Sequence, residues 1–287
     1  MIPLMIPSYK RVNAPLLQKI LTEKGFPVYI FVRREEHAEY SSIYSDRAKV
    51  VALPSNTDNV SKTRQNIVKY CIMNKIPRIF MFDDDITEFD FCRPNPENTC
   101  MKSQSTLTGT PGSYKELLEE WSRIIKQEKP VISSAAYRRF GWSNHNMYNS
   151  GKRFIPFRQH IQCISLDIKQ LYKAGINYPD EIAHGEDLVI QLECMRRRMK
   201  VLMLLGIWYN CPEVGANYGG CNVDEIAYDR AMRGYKQFCE MYGENVEGID
   251  LKFTQTSKQP SLKFNWHYWR KYYAKGGVDW RLDGRII

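Results

Sequence analysis

The sequence predicts an α/β fold whose mostly parallel sheet is flanked by helices, and three observations point to it. Over residues 1–90, short apolar runs alternate with amphipathic stretches, the pattern of strand–helix–strand units. The run Ile79-Phe80-Met81-Phe82 is wholly apolar, as strands covered on both faces are, and it leads directly into Asp83-Asp84-Asp85. The chain has 287 residues, 43% of them hydrophobic, enough to bury a large core and too many for global disorder.

The first strand ends at Ile6-Pro7-Ser8, with Tyr9-Lys10-Arg11 following. The N-terminus is apolar but short and lacks a basic lead, so it reads as this strand and not as a signal peptide. A helix fits 14–24, with Leu16, Leu17, Ile20 and Leu21 on one face and Gly25 as its stop. Residues 27–33 form the second strand and 49–53 the third. Asn59 or Ser61 caps a helix that runs to about Asn74, with Ile67, Val68, Cys71 and Ile72 facing inward. The strand that carries the aspartates comes next.

Residues 91–112 are rich in Pro, Asn, Ser, Thr and Gly and read as a loop, a lid over the site. Ser113 with Glu116 makes a capping box for a helix over 114–129. Strands follow at 131–135 and 161–166, separated by a basic, Asn-rich connection over 138–160. A helix over 187–200 ends in Arg196-Arg197-Arg198, a strand covers 201–208, a helix 228–242, and the tail 250–287 is basic and aromatic. No internal repeat or linker stands out, so one continuous domain is expected over 1–287.

No run of eighteen apolar residues is present, so no membrane-spanning helix is expected. The eight cysteines form no C-x-x-C pair and suggest reduced thiols in the cytoplasm, that of the host cell for a viral protein. The net charge of +9 suggests a polyanionic partner. Two stretches mix cations with aromatics: Arg138, Arg139 and Trp142 in one, Trp269, Arg270 and Lys271 in the other. Such mixtures can neutralise phosphates and stack on bases, or form an ordinary half-buried element with solvated charges.

Ligand sites of open α/β sheets lie beyond the carboxyl ends of their strands. Three carboxylates placed there repel one another unless a cation neutralises them, and hard Mn²⁺ or Mg²⁺ bridges carboxylates to phosphates. Asp83-Asp84-Asp85 therefore suggests a metal–phosphate site; the alternative is an acidic turn in solvent. Glu186 and Asp187, after His184-Gly185, sit at a helix N-terminus that favours anions. There Asp187 can take a proton from a hydroxyl, or merely cap the helix. Arg64 can pair with diphosphate oxygens or be a surface arginine. His267 can complete a metal shell or simply pack.

Together these pieces resemble the GT-A class of nucleotide-sugar glycosyltransferases. Asp83-Asp84-Asp85 matches the D-x-D form of that class, Glu186-Asp187 resembles its second acidic motif, and His267 stands where many members place a metal-binding histidine. Ile6-Pro7-Ser8-Tyr9-Lys10-Arg11, Thr63-Arg64-Gln65-Asn66, Phe82-Asp83-Asp84-Asp85 and His184-Gly185-Glu186-Asp187 are similar to the narrower group associated with thymine/cytosine-oxidising dioxygenases. That group includes phage enzymes and the base J glucosyltransferases.

The resemblance implies a Rossmann-like, mostly parallel GT-A sheet, with residues 1–90 as the nucleotide-sugar half, 113–249 as the acceptor and catalytic half, and 250–287 as a basic tail. It implies transfer from a UDP-sugar to the hydroxymethyl group of 5-hydroxymethylcytosine or 5-hydroxymethyluracil in double-stranded DNA. Asp83, Asp85 and His267 would hold Mn²⁺ or Mg²⁺, and Asp187 with Glu186 would serve the acceptor. Pro7, Ser8, Tyr9, Lys10, Arg11, Arg64, Asp83 and Asp84 would flank the donor. A base inside a duplex would have to flip out, at a cost of a few kcal/mol. Arg138, Arg139, Trp142, Arg196, Arg197, Arg198, Trp269, Arg270 and Lys271 are the expected DNA contacts. The rival expectations are a carbohydrate, lipid or protein acceptor on the same fold, a nucleotidyltransferase, and a catalytically idle nucleic-acid-binding protein.

Overall fold

The computed structural model describes residues 1–91, 110–111, 113–137, 152–156, 162–212, 227–253 and 260–276. Most of the expected lid over 91–112, most of the 138–160 connection and the far end of the tail lie outside them. Twelve strands are described. In chain order β1–β4 are Leu4–Pro7, Val28–Val32, Lys49–Ala52 and Ile79–Phe82; β5–β8 are Glu88–Phe91, Thr110–Pro111, Ile132–Tyr137 and Phe154–Pro156. Then come β9 (Cys163–Leu166), β10 (Val201–Asn210), β11 (Ile249–Phe253) and β12 (Pro260–Phe264). The helices are α1 (Pro15–Thr22), α2 (His37–Tyr44), α3 (Val60–Met73), α4 (Tyr114–Glu128), α5 (Ile168–Lys173), α6 (Glu186–Arg196), α7 (Ala227–Tyr242) and α8 (Trp266–Lys275).

Ten strands make one sheet in the order β3-β2-β1-β4-β9-β7-β10-β5-β6, with β8 on β10. The pairs β1–β2, β2–β3, β1–β4 and β7–β10 are parallel. β9 runs antiparallel between β4 and β7, a reversal that its apolar sequence alone does not encode. Side chains alternate across the sheet, as a period of two requires. Leu4, Ile6, Phe80 and Phe82 point into one core layer with Leu16, Tyr40, Leu117 and Trp121; Met5, Ile79 and Met81 point into the other with Ile67, Leu188, Phe238 and Trp269.

Local chemistry accounts for the helix ends. The Asn59 side chain accepts from Lys62 N at 2.8 Å and caps α3, while Ser113 and Glu116 form the reciprocal capping box of α4. The helix expected over 187–200 stops at Arg196, because Arg198 turns left-handed (φ 52°) to enter β10. The tail folds too: β11 and β12 pair antiparallel, and α8 buries Trp269 and Tyr273, four residues apart. Among the described residues no helix is long and apolar enough to cross a membrane.

Candidate functional site

The carboxyl ends of β1 and β4 meet at the upper edge of the sheet. Asp84 turns inward, 4% exposed, and both its oxygens are taken. Ser8 Oγ donates to Oδ2 at 2.6 Å, and Arg11 Nη1 donates to Oδ1 at 3.0 Å. The Tyr40 hydroxyl joins this network, 2.9 Å from Ser8 Oγ and 3.1 Å from Arg11 N. Burial pushes the Asp84 carboxyl up to about 6 even though Arg11 and Ser8 favour its charge. Asp84 was expected to flank the donor; the structure makes it a strut between the carboxyl ends of β1 and β4. Ser8 and Arg11, expected beside the donor as well, hold that strut.

Asp83 and Asp85 flank it and are more open. Arg11 Nη1 reaches Asp85 Oδ2 at 3.2 Å, yet Asp85 Oδ1 is buried and has no hydrogen-bond partner among the described residues. Asp83 accepts from Arg64 Nη2 at 3.1 Å and is 25% exposed. Pro7 ends β1 opposite Phe31 and is half-buried. Beyond it Tyr9 lies under the Arg33 guanidinium, 3.6 Å from ring centroid to Cζ. Lys10 is exposed in a left-handed conformation, with its amide donating to Glu36 Oε1 at 2.6 Å.

The second acidic motif lies on the same edge. Gly185, in a left-handed conformation (φ 91°), starts α6 and places Glu186 and Asp187 in its first turn, both buried. Arg64 Nε stands 3.4 Å from Glu186 Oε1, so one buried guanidinium joins the two acidic groups. Burial alone would lower the Arg64 pKa; Asp83 and Glu186 more than reverse that. The neighbouring side chains of α3 hold the segment leading into α6. Ser61 Oγ donates to Pro179 O, and Gln65 accepts from Tyr178 N at 2.8 Å and donates to Asn177 at 3.1 Å. Thus Arg64, expected on the donor phosphates, is a buried brace between the motifs.

Asp187 carries the chemical potential of the site. Its Oδ2 is buried without a hydrogen-bond partner among the described residues. Burial, and after it Glu186, push its carboxyl up to about 7, with Arg64 and backbone amides opposing. A carboxylate so tuned can accept a proton near neutral pH. Among the described residues no three acidic, cysteine or histidine side chains gather as a metal cage. Asp83 and the unpartnered Asp85 oxygen still fit a hard divalent ion whose remaining ligands come from phosphate and water.

Other expected residues are not brought to this edge. α8 docks at the opposite end of α6, where Tyr272 OH donates to Arg196 O at 2.6 Å and Tyr273 OH to Met199 O at 2.7 Å. Eleven residues of α6 at 1.5 Å each set these ends about 16 Å apart. His267 is carried by this docked helix, exposed, and does not gather with Asp83 and Asp85 among the described residues. The expected base contact of Trp269 is corrected: it is 1% exposed and donates Nε1–H to Gly248 O, so it packs in the core and offers no face to a base. Arg196 and Arg197 pair with Glu193, and Arg198 lies over the Tyr272 ring. With exposed Arg270 and Lys271 they form a surface away from the carboxylates. Arg138, Arg139 and Trp142 lie outside the described residues. Tyr40 and Tyr178 escaped sequence reasoning. Tyr40 and Tyr44, four apart and both buried, carried a helical signal; nothing local marked Tyr178, whose phenol burial pushes up beside Arg64 and Glu186.

The sheet order and the carboxylates at its upper edge define a GT-A-like fold. Solved structures with this fold include a mannosyltransferase from Pyrobaculum calidifontis in complex with GDP-Man and Mn²⁺, at 10% identity and a TM-score of 0.51 over 84% of this chain and 63% of that one. S. aureus TarS 1-349 in complex with UDP-GlcNAc gives 11% identity and a TM-score of 0.50 over 83% and 66%. More narrowly, the chain belongs to the TET-associated glycosyltransferase family, whose model matches residues 2–204. It is 33% identical over 109 residues to a β-glucosyl-HMC-α-glucosyl-transferase of Enterobacteria phage T6, a match that spans 38% of each chain. The phage T2 counterpart is 32% identical over the same share.

Proposed function

We propose that this chain transfers a sugar from a nucleotide-sugar donor, a UDP-sugar in the first instance, to a hydroxyl carried by a modified pyrimidine in double-stranded DNA. The hydroxymethyl group of 5-hydroxymethylcytosine or 5-hydroxymethyluracil is the acceptor of this reading. The carrying observation is the brace through Arg64: it sets the Asp83–Asp85 end of β4 against the Glu186–Asp187 start of α6. Membership of the TET-associated family and the HMC named for its phage relatives support the DNA acceptor.

Asp83 and Asp85 would hold Mn²⁺ or Mg²⁺; when bound, such an ion neutralises charge that develops on a leaving diphosphate. Asp84, fixed by Ser8 and Arg11, ties the carboxyl end of β4 to the segment after β1 and so anchors the turn that carries the two outer carboxylates. Tyr9, backed by Arg33, offers an aromatic surface at the end of β1 for the donor base. Asp187 takes the acceptor proton as the hydroxyl oxygen attacks the anomeric carbon, and Glu186, held by Arg64, keeps α6 in register. Proton removal by a carboxylate base at the acceptor favours inversion at that carbon.

The names of the phage relatives favour a second reading, in which the acceptor hydroxyl belongs to a β-glucosyl group already on the HMC base. One experiment separates the two. Hydroxymethylated DNA and its β-glucosylated form are each incubated with a panel of nucleotide sugars and Mn²⁺, and the nucleosides are weighed by mass spectrometry. One added hexose or pentose on the bare hydroxymethyl base supports the first reading. Addition only to the glucosylated base supports the second. Release of pyrophosphate, or no addition to either DNA, removes both.

A further inference from the structure

The lower edge of the sheet, opposite the carboxylates, carries a row of cations that the transfer chemistry leaves unused. Lys75 precedes β4, Lys169 follows β9, Lys129 precedes β7 and Arg198 precedes β10. These four strands are neighbours in the sheet. Backbone hydrogen bonds join their ends: Lys169 N donates to Pro77 O at 3.2 Å, Asp167 N to Val131 O at 2.8 Å, and Val131 N to Lys200 O at 2.7 Å. At a strand spacing of about 4.8 Å, the row covers about 14 Å.

The acids of this edge are already neutralised. Asp167 pairs with Arg78, and Glu128 accepts from Lys200 at 2.7 Å. Lys75, Lys129 and Lys169 are exposed, and among the described residues no carboxylate pairs with them. Lys75 and Lys129 hold left-handed backbone angles, φ 55° and 49°, after α3 and α4, a place where glycine is favoured. A cation at a helix C-terminus gains from the macrodipole, which accounts for those two in part. Lys169 stands in the first turn of α5, where the dipole opposes it. Helix energetics therefore do not explain the row. It continues onto the outer face of α8, where His267, Arg270, Lys271 and Lys275 are all exposed.

We infer that this edge is a second, non-catalytic surface for the phosphate backbone of duplex DNA, which tethers the protein while the upper edge acts on a base. The duplex as partner is taken from the proposed function. The complementarity is one of charge and spacing: DNA presents about one negative charge per 1.7 Å of its axis, and several cations in a row meet several phosphates. The surface reads no sequence, since it would touch only phosphates.

The test uses the full chain with Lys75→Glu, Lys129→Glu and Lys169→Glu combined, and a second variant with Gln at the same positions. All three side chains are exposed, so both variants should fold; Glu at the C-termini of α3 and α4 opposes the macrodipole and should lower the melting point in circular dichroism by a few degrees, with Gln lowering it less. Binding of a labelled, unmodified duplex is titrated over a range of salt. The expected result is affinity at least about tenfold weaker, with the slope of log K against log salt shallower by about 2 to 3 if each lysine meets one phosphate. Turnover on a hydroxymethylated nucleoside monophosphate should be unchanged. Duplex affinity and slope equal to the wild type would overturn the inference, as would lysine-dependent binding of single-stranded RNA in place of duplex DNA. A wild type that binds duplex through these lysines yet adds no sugar to either modified DNA would refute the proposed function and leave the second surface standing.

Discussion

Arg64 reaches Glu186 with Nε 3.4 Å from Oε1, while its Nη2 donates to Asp83. Two nitrogens of one rigid fork thus hold the end of β4 and the start of α6, which are far apart in sequence. The geometry explains the demand for arginine: a lysine ammonium is a single point charge and cannot span both partners in this way.

Removing that fork strands buried carboxylates without a counter-charge. Breaking a buried ion pair from one side costs about 3–5 kcal/mol. Arg64→Gln is expected to lose stability of that order in urea unfolding, with Arg64→Lys losing less. Equal stability of wild type and Arg64→Gln would show that the brace contributes nothing.

The Asp187 carboxyl, pushed up to about 7 against an ordinary 3.8, makes a two-sided prediction. A base works only when deprotonated, so kcat should fall as pH drops below about 7, roughly tenfold per unit. Stability runs the other way. The folded state holds this proton more tightly than the unfolded chain, so ionising it penalises folding. The penalty is absent below the ordinary value, grows as pH rises towards 7 and persists above it. Asp187→Asn should therefore abolish transfer yet melt higher than the wild type at pH 8. A lower melting temperature at pH 8 would mean that the charge is well solvated.

Gly234 on α7 lies against the His184 backbone, where a Cβ would overlap the His184 carbonyl oxygen and its amide. His184 and Gly185 lead into the acidic motif, so this contact sets where α6 begins. Gly234→Ala should cost about 1–3 kcal/mol by overpacking and displace that turn. Measured by unfolding and by initial rates, stability and kcat should fall together. A variant with wild-type values for both would place the helix farther from the turn.

How much of this was legible in the sequence depends on how local each signal was. Ile79–Phe82 announced a buried strand, because four apolar residues need no partner to be recognised, and the three acids after it do lie at that strand's carboxyl end. The capping box of α4 was equally local. The direction of β9 was not, since pairing antiparallel to β4 and β7 is decided by connections far along the chain. Arg64 drew notice as a donor ligand, but only the fold shows it buried between two acids. Trp269 could have been read correctly: with Tyr273 four residues on, it forms the apolar stripe of a helix, and the cations around it fill the other face. His267 sits on that outer face, exposed, and no spacing rule could say which end of α6 it would meet.

The adjacent aspartates Asp84 and Asp85 should fail in different ways. Asp84 is fully engaged by Ser8 and Arg11, so Asp84→Ala removes the strut and leaves Arg11 and Ser8 with lost partners. Leaving buried polar groups unsatisfied costs about 1–3 kcal/mol, more for a charged one. Asp85 keeps one buried oxygen without a partner, and Arg11, which reaches its other oxygen, retains Asp84 and an amide oxygen in Asp85→Asn, so that variant changes little in the folded protein and removes the hard anionic ligand of the proposed metal site. In a melting series Asp84→Ala should unfold several degrees below the wild type, and Asp85→Asn should overlay it. In calorimetry with UDP and Mn²⁺ the order should reverse at a temperature where both variants are folded: Asp85→Asn loses the Mn²⁺-dependent heat, and Asp84→Ala keeps part of it. Loss of stability in Asp85→Asn with donor binding intact would exchange the roles of the two residues and move the metal-facing carboxylate to the other position.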